Sequence, residues 1–385
     1  MMKKTVKSVT AVLLAAVMMT GVMAGCNGGG DDPKVLKIGC MGPITGENAS
    51  YGTSVRNGAQ IAVDEINAAG GVNGMTLELV FADDEASPEK AKNAFSSLMD
   101  EGIDVMLGAT TTDATIALGE LTQQENMLQV TPSGSGQDCT KYDNAFRICF
   151  TDPLQGTTMA EYIYNTMKKT KVAIIYDNSN DYSKGITEAF RQKFTELGGQ
   201  IVPDAQSFGK DDVDFTAQLN NIKNSDAEAI FIPAYYQKVS AILQQADKAG
   251  LDLPFFGCDG WDGVLNQLGD DKALAEGAIF LTPFAANDPD EAVQKFVKAY
   301  QDANDGATPD QFAADAYDGV YVIVEALKKA NVTDSTKIDN DALIQAMTQI
   351  SVKGLTGDMT FDASGEPNKS AKIIEVVNGE YTVRK

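Results

Sequence analysis

The chain has 385 residues, sets 31 Lys and Arg against 54 Asp and Glu for a formal charge of −23, and contains no histidine. Such acidity repels nucleic acid and anionic lipid headgroups, so neither is an expected partner. The missing histidine removes Ser-His-Asp and Cys-His nucleophiles, His-ligated zinc and His general bases together, so no enzyme activity and no cofactor are expected.

In chain order, Lys3, Lys4 and Lys7 precede an acid-free apolar run from Val9 to Val22, which ends at Met23-Ala24-Gly25-Cys26. A positive start, a short apolar middle and small residues before a cut describe a secretory signal peptide over residues 1–25. The run is too short for a bilayer core, which needs about 20 apolar residues. Cys26 after Ala24-Gly25 resembles the lipobox of bacterial lipoproteins. That resemblance implies cleavage before Cys26, acylation of its thiol, and tethering to the outer face of the bacterial cell membrane. Residues 26–34 then read as the lipidated cysteine and a flexible Gly-rich spacer.

From Val35 onward, strand-like and helix-like runs alternate. Strands are expected at Val35–Met41, Leu77–Ala82, Asp104–Leu107 and Met127–Thr131, with helices at Thr53–Ala68, from Pro88, and at Thr112–Gln124. The pattern restarts with a helix at Pro153–Met167, a strand at Lys171–Tyr176, a helix at Tyr182–Leu197 and a strand at Gln200–Val202. Val213–Lys223, Ala229–Pro233, Val239–Ala249 and Pro254–Gly257 continue it. This alternation predicts right-handed βαβ crossovers and two α/β lobes with mostly parallel sheets. A helical stretch at Asp288–Ala330 reads as packing back on the first lobe, and strands at Met359–Phe361, Ile373–Val377 and Tyr381–Val383 close the chain. Three crossings follow, which divide the body into lobe 1 (35–151 and 283–372) and lobe 2 (152–282 and 373–385). Cys139 and Cys149 flank a short polar loop and can form a bridge outside the cell. Cys40 and Cys258 read as small buried hydrophobes in strand-like runs.

Ligands of open α/β sheets bind beyond the carboxyl ends of strands, at helix N-termini. Those positions carry Gly108-Ala109-Thr110-Thr111-Thr112-Asp113 and Pro132-Ser133-Gly134-Ser135-Gly136 in the first half. In the second half they carry Tyr182, Tyr235, Tyr236 and Asp259. Hydroxyls and free backbone N–H groups suit a carboxylate; the opposing carboxylate and aromatic rings suit an ammonium and its side chain. The acidic clusters Asp83-Asp84-Glu85 and Asp211–Asp214 lack EF-hand spacing, and no metal is expected.

Several motifs together resemble the solute-binding lipoproteins of branched-chain amino acid ABC importers, a family with the type I periplasmic-binding-protein fold. They are Ile38 to Gly52 (IGCMGPITGENASYG), Ala62 to Gly74 (AVDEINAAGGVNG), Val130 to Ser133, Phe146 to Gly156 (FRICFTDPLQG) and Gly257 to Gly260. The resemblance implies carboxylate ligands at Thr112, Ser133 and Ser135, closing tyrosines at Tyr182 and Tyr235, and an ammonium partner at Asp259, where glutamate is common. Side-chain pocket positions fall on Tyr51, Thr111 and Phe312, while Trp261 nearby leaves the preferred side chain open. Implied partners are a free α-amino acid and the permease and ATPase subunits of an importer, with the receptor itself a monomer. The same fold binding an aromatic acid, amide or urea, or serving as a sensory ligand-binding protein, stays open.

Overall fold

The computed structural model describes residues 34–384; the expected leader, Cys26 and most of the spacer lie outside the described residues. Residues 34–147 build a five-stranded, wholly parallel sheet. Its elements are β1 (Lys34–Gly42), α1 (Ala49–Ala68), β2 (Met75–Asp83), α2 (Pro88–Asp100), β3 (Val105–Leu107), α3 (Thr112–Gln124), β4 (Gln129–Thr131) and β5 (Ala145–Arg147). Strand order is β2-β1-β3-β4-β5, and β1 pairs with β2 in register from Lys34 opposite Met75 to Gly42 opposite Asp83. The middle strand β3 (Val-Met-Leu) is apolar on both faces because helices cover both sides of a parallel sheet. Ser87 caps α2 through Lys90 N, and Pro88 fills its first turn, where a missing N–H costs nothing.

The chain then enters a second sheet through α4 (Asp152–Glu161), β6 (Lys171–Asp177), α5 (Asp181–Glu196), β7 (Gln200–Ile201), β8 (Gln206–Phe208), α6 (Thr216–Lys223), β9 (Ala229–Phe231), α7 (Tyr236–Lys248), β10 (Phe255–Phe256), α8 (Val264–Leu268) and β11 (Ile279–Thr282). It returns to the first lobe with α9 (Glu291–Ala303), α10 (Gln311–Lys329), α11 (Asn340–Met347) and the hairpin β12 (Ser351–Gly354)–β13 (Gly357–Thr360). Finally β14 (Lys372–Val377) adds antiparallel to β11, and β15 (Glu380–Val383) to β14. Three crossings therefore join two α/β lobes.

The expected helical stretch Asp288–Ala330 is two helices. It breaks where Asp305 and Gly306 both adopt positive φ, before Pro309 and the Asp310 cap of α10. α10 lies against α1 so closely that a Cβ on Gly58 would stand 2.0 Å from the Ala313 carbonyl oxygen, which requires glycine there. Cys258 is buried but follows β10 in a loop rather than lying in a strand. Among the described residues, no helix is long and apolar enough to cross a membrane.

Candidate functional site

Strands β3 and β4 both end in hydroxyl-rich loops. The Gly108–Thr111 loop leads into α3, whose first backbone N–H groups have no partners within the helix. Thr111 stands at the N-cap without capping the helix through its side chain, and its buried hydroxyl has no partner among the described residues. Thr112 accepts from Gly136 N at 3.3 Å, which leaves its own hydroxyl proton free to donate. Ser133 donates to the Thr110 carbonyl at 2.6 Å and is spent there, whereas the buried Ser135 hydroxyl is unpartnered.

Arg147 holds this second loop from behind. Its fully buried guanidinium donates to the carbonyl of Gly134 (2.8 Å) and to Thr140 Oγ1 (3.1 Å), and pairs with Glu366 at 2.9 Å.

The second lobe faces these loops with a carboxylate and stacked aromatic rings. Tyr182, near the start of α5, donates to Asp259 Oδ1 at 2.5 Å and accepts from Gly260 N at 2.8 Å. Its ring stacks on Tyr235 with centroids 4.6 Å apart. Burial pushes Asp259 up to about 6, while the hydrogen bond from Tyr182 opposes the rise. The Asp259 backbone is fixed on both sides, its N–H donating to Gln155 Oε1 (2.9 Å) and its carbonyl accepting from Gln311 Nε2 (2.6 Å). From the first lobe, Tyr51 packs on Phe312 at 4.0 Å and meets Tyr235 edge-on at 5.7 Å. Thr111 and Tyr235 also border a cavity of about 230 Å³, whose rim carries Glu47, Asp113, Asp177, Lys210 and Lys238.

The fold thus brings Thr111, Thr112, Ser133 and Ser135 to the strand ends of one lobe, and Tyr182, Tyr235 and Asp259 to those of the other. Tyr51 and Phe312 stand between them. Trp261 is not in the pocket: it is fully buried within the second lobe, donating Nε1 to the Ile232 carbonyl at 2.7 Å. The possible Cys139–Cys149 bridge is corrected, because both are free buried thiols. The physical reason is that the short helical turn Gln137–Thr140 aims Cys139 Sγ at the Thr112 carbonyl.

Sequence reasoning missed Asp152. Its carboxylate is buried and neither oxygen has a partner among the described residues, with the Ser135 hydroxyl close by but outside bonding geometry. Cβ atoms on Gly185 and Gly136 would lie 3.2 and 3.6 Å from its Oδ2, so it sits between the two lobes. Burial, reinforced by the charge of Asp259, pushes Asp152 well above the carboxylate range. The signal was present in Thr151-Asp152-Pro153, but an acid beside proline reads first as a helix start.

A family model described as periplasmic binding protein matches residues 35–380. A Leu/Ile/Val-binding protein homolog of Brucella melitensis is 29% identical over 333 residues, covering 86% of this chain and 88% of its own. Among solved structures, the leucine-binding protein LivK of Thermotoga maritima superposes with a TM-score of 0.83 at 27% identity, covering 91% of this chain and 98% of its own. The branched-chain amino acid transporter substrate-binding protein LivJ of Streptococcus pneumoniae, solved in complex with isoleucine, gives 0.82 at 29%, covering 91% and 100%. With its two sheets, three crossings and a site between the lobes, this chain belongs to the periplasmic binding protein family.

Proposed function

We propose that this protein is the extracytoplasmic receptor of an ABC importer and binds a free α-amino acid, with leucine, isoleucine or valine preferred. One observation carries the reading: the Thr111 hydroxyl at the N-terminus of α3 and the Ser135 hydroxyl of the next loop, both without partners among the described residues, lie at the strand ends of one lobe, and the buried Asp259 carboxylate lies at those of the other. A zwitterion satisfies both ends. Thr111, Thr112 and Ser135, with the first N–H groups of α3, would take the carboxylate, while Ser133 shapes the loop. Asp259, oriented by Tyr182 and Gln155, would take the ammonium. Tyr51, Phe312 and Tyr235 would enclose the side chain. The names of the relatives favour branched side chains, and an apolar enclosure separates neighbours differing by one methylene by only about 1–3 kcal/mol. Several similar side chains should therefore bind.

Binding here needs no bond chemistry. The ligand bridges two lobes, so it stabilises the closed form by the contacts that the open form lacks. The expected membrane tether through Cys26 belongs to this reading, as does delivery to permease and ATPase subunits.

A thermal-shift screen of the twenty amino acids tests the ligand. A ligand at 100 times its Kd stabilises by about 2.7 kcal/mol, so leucine, isoleucine or valine should give the largest shift. Asp259→Asn should weaken leucine far more than its deaminated analogue; equal losses would remove Asp259 from the ammonium role. Cys26→Ser should free the protein from the membrane or leave an uncleaved precursor, and an unmodified Cys26 by mass spectrometry would end the anchoring claim.

A further inference from the structure

Away from the amino acid site, a second carboxylate pair spans the lobes. Asp262 follows the turn that carries Asp259 in the second lobe, and Asp310 caps α10 in the first. Both border a cavity of about 310 Å³ beside the crossing that follows β11. Asp262 is buried, and its Oδ2 accepts from Gln311 N at 3.0 Å, the residue next to Asp310. Asp310 accepts from Ser54 Oγ (2.7 Å) through Oδ2 and from Ala313 N (3.0 Å) through Oδ1. Among the described residues, neither carboxylate forms a salt bridge.

We propose that closing the lobes takes up one proton, shared between Asp262 and Asp310, so that closure and ligand binding weaken as pH rises from mildly acidic to alkaline. Separated lobes would leave the two carboxylates in water, near the ordinary value of about 3.9. The closed interface removes Asp262 from water and sets Asp310 beside it, and both effects raise it; partial burial likewise raises Asp310. A group that holds its proton more tightly in the closed form favours closure below its closed-state value, and that benefit is lost as pH rises through it. The pair titrates as a unit, and one proton removes the repulsion.

The other groups around the pair do not replace that proton. On the first lobe these are the Ser54 hydroxyl and Tyr300, whose own ionisation the Asp310 charge opposes. On the second they are Asp259, whose charge adds to the repulsion, and Tyr381. Lys272 and Glu380 line the cavity, but Lys272 bonds neither carboxylate.

This inference rests on the reading that the lobes close on a ligand. Leucine calorimetry between about pH 6.5 and 8.5 tests it above the range in which Asp259 acts with opposite sign. Wild-type protein should take up close to one proton per leucine, counted from buffers of different ionisation enthalpy. Its affinity should fall by up to about tenfold per pH unit. Asp262→Asn, which presents a neutral amide to Asp310, should take up about one proton fewer per leucine than wild type and lose that share of the pH dependence, whatever Asp152 contributes to both. Asp310→Asn, which keeps a good helix cap, should do the same and covers the case in which the first variant misfolds. Undiminished uptake in both variants, or none in wild type, would overturn the proposal. If leucine does not bind at any pH, the ligand reading fails, and ligand-free X-ray scattering decides about the pair. A radius of gyration that shrinks on acidification in wild type but not in the variants supports it; identical curves overturn it.

Discussion

The Tyr51 hydroxyl of the first lobe donates to the Gly260 carbonyl of the second at 2.6 Å and accepts from Tyr236 N at 3.3 Å. One phenol therefore satisfies two backbone groups across the interface, and its ring packs on Phe312. Asp181 N to Asp113 Oδ1 (3.0 Å) and Lys238 to Glu47 (3.3 Å) add bonds between the lobes nearer the rim. Glu47 is largely exposed, so that ion pair adds little.

Tyr51→Phe should keep the packing on Phe312 and lose both bonds. The stranded carbonyl and N–H cost about 1–3 kcal/mol each when buried, but only in the closed form, since opening returns them to water. Affinity for the best amino acid should thus drop at least about 30-fold, read by calorimetry. The ligand-free melting temperature should hardly move. A large loss of ligand-free stability with unchanged affinity would show that Tyr51 is a core residue rather than a clasp.

Arg147→Lys should injure the site from behind. A single ammonium cannot reach the Gly134 carbonyl, Thr140 and Glu366 together, so buried acceptors go unpaired at about 1–3 kcal/mol each. Urea denaturation should show a loss of several kcal/mol, and leucine binding should weaken because the loop carrying Ser133 and Ser135 loosens. A stability change under about 1 kcal/mol would contradict the role given to the guanidinium.

The division of labour between sequence and tertiary structure is plain at particular residues. Helix α3 was readable to the residue, because a glycine turn, three hydroxyls and an acidic first turn leave few other starts for an apolar period. Strands β5 and β8, three residues each, carry too little periodicity to find. The break between α9 and α10 was written in Asn304-Asp305-Gly306 and Pro309, but the apolar period on either side masked it. Asp152 looked like a helix-start acid, and only the approach of Gly136 and Gly185 from different lobes buries it. Thr111 and Thr112 look alike in the sequence, and only the bond from Gly136 N to Thr112 Oγ1 sets their hydroxyls apart.

Cysteine chemistry offers a direct check. Cys40, Cys139, Cys149 and Cys258 are all buried free thiols, and burial pushes Cys139 up to about 12. Native protein should resist iodoacetamide, whereas unfolding without reductant should expose all four to alkylation. Adducts on only Cys40 and Cys258 in the unfolded chain would mean that Cys139 and Cys149 are bridged after all.

Asp84, just beyond β2, should give the body an acid-favoured component of stability. It is buried; its Oδ1 accepts from Ala86 N at 2.9 Å, and its Oδ2 has no partner. Burial, with the charge of Asp83 beside it, raises Asp84 to about 7. The unfolded chain returns it to about 3.9, so the folded state holds the proton more tightly. Its contribution is full below the unfolded value and is lost as pH rises through the folded one. Asp84→Asn keeps the acceptor for Ala86 N and removes the ionisation. The difference in unfolding free energy, variant minus wild type, should grow with pH by up to about 1.4 kcal/mol per unit, then level off near neutrality. Urea unfolding across that range measures it, and because the other buried acids are common to both proteins, they cancel. A difference that stays constant with pH would mean that Asp84 is ionised in the folded state with an ordinary affinity for its proton.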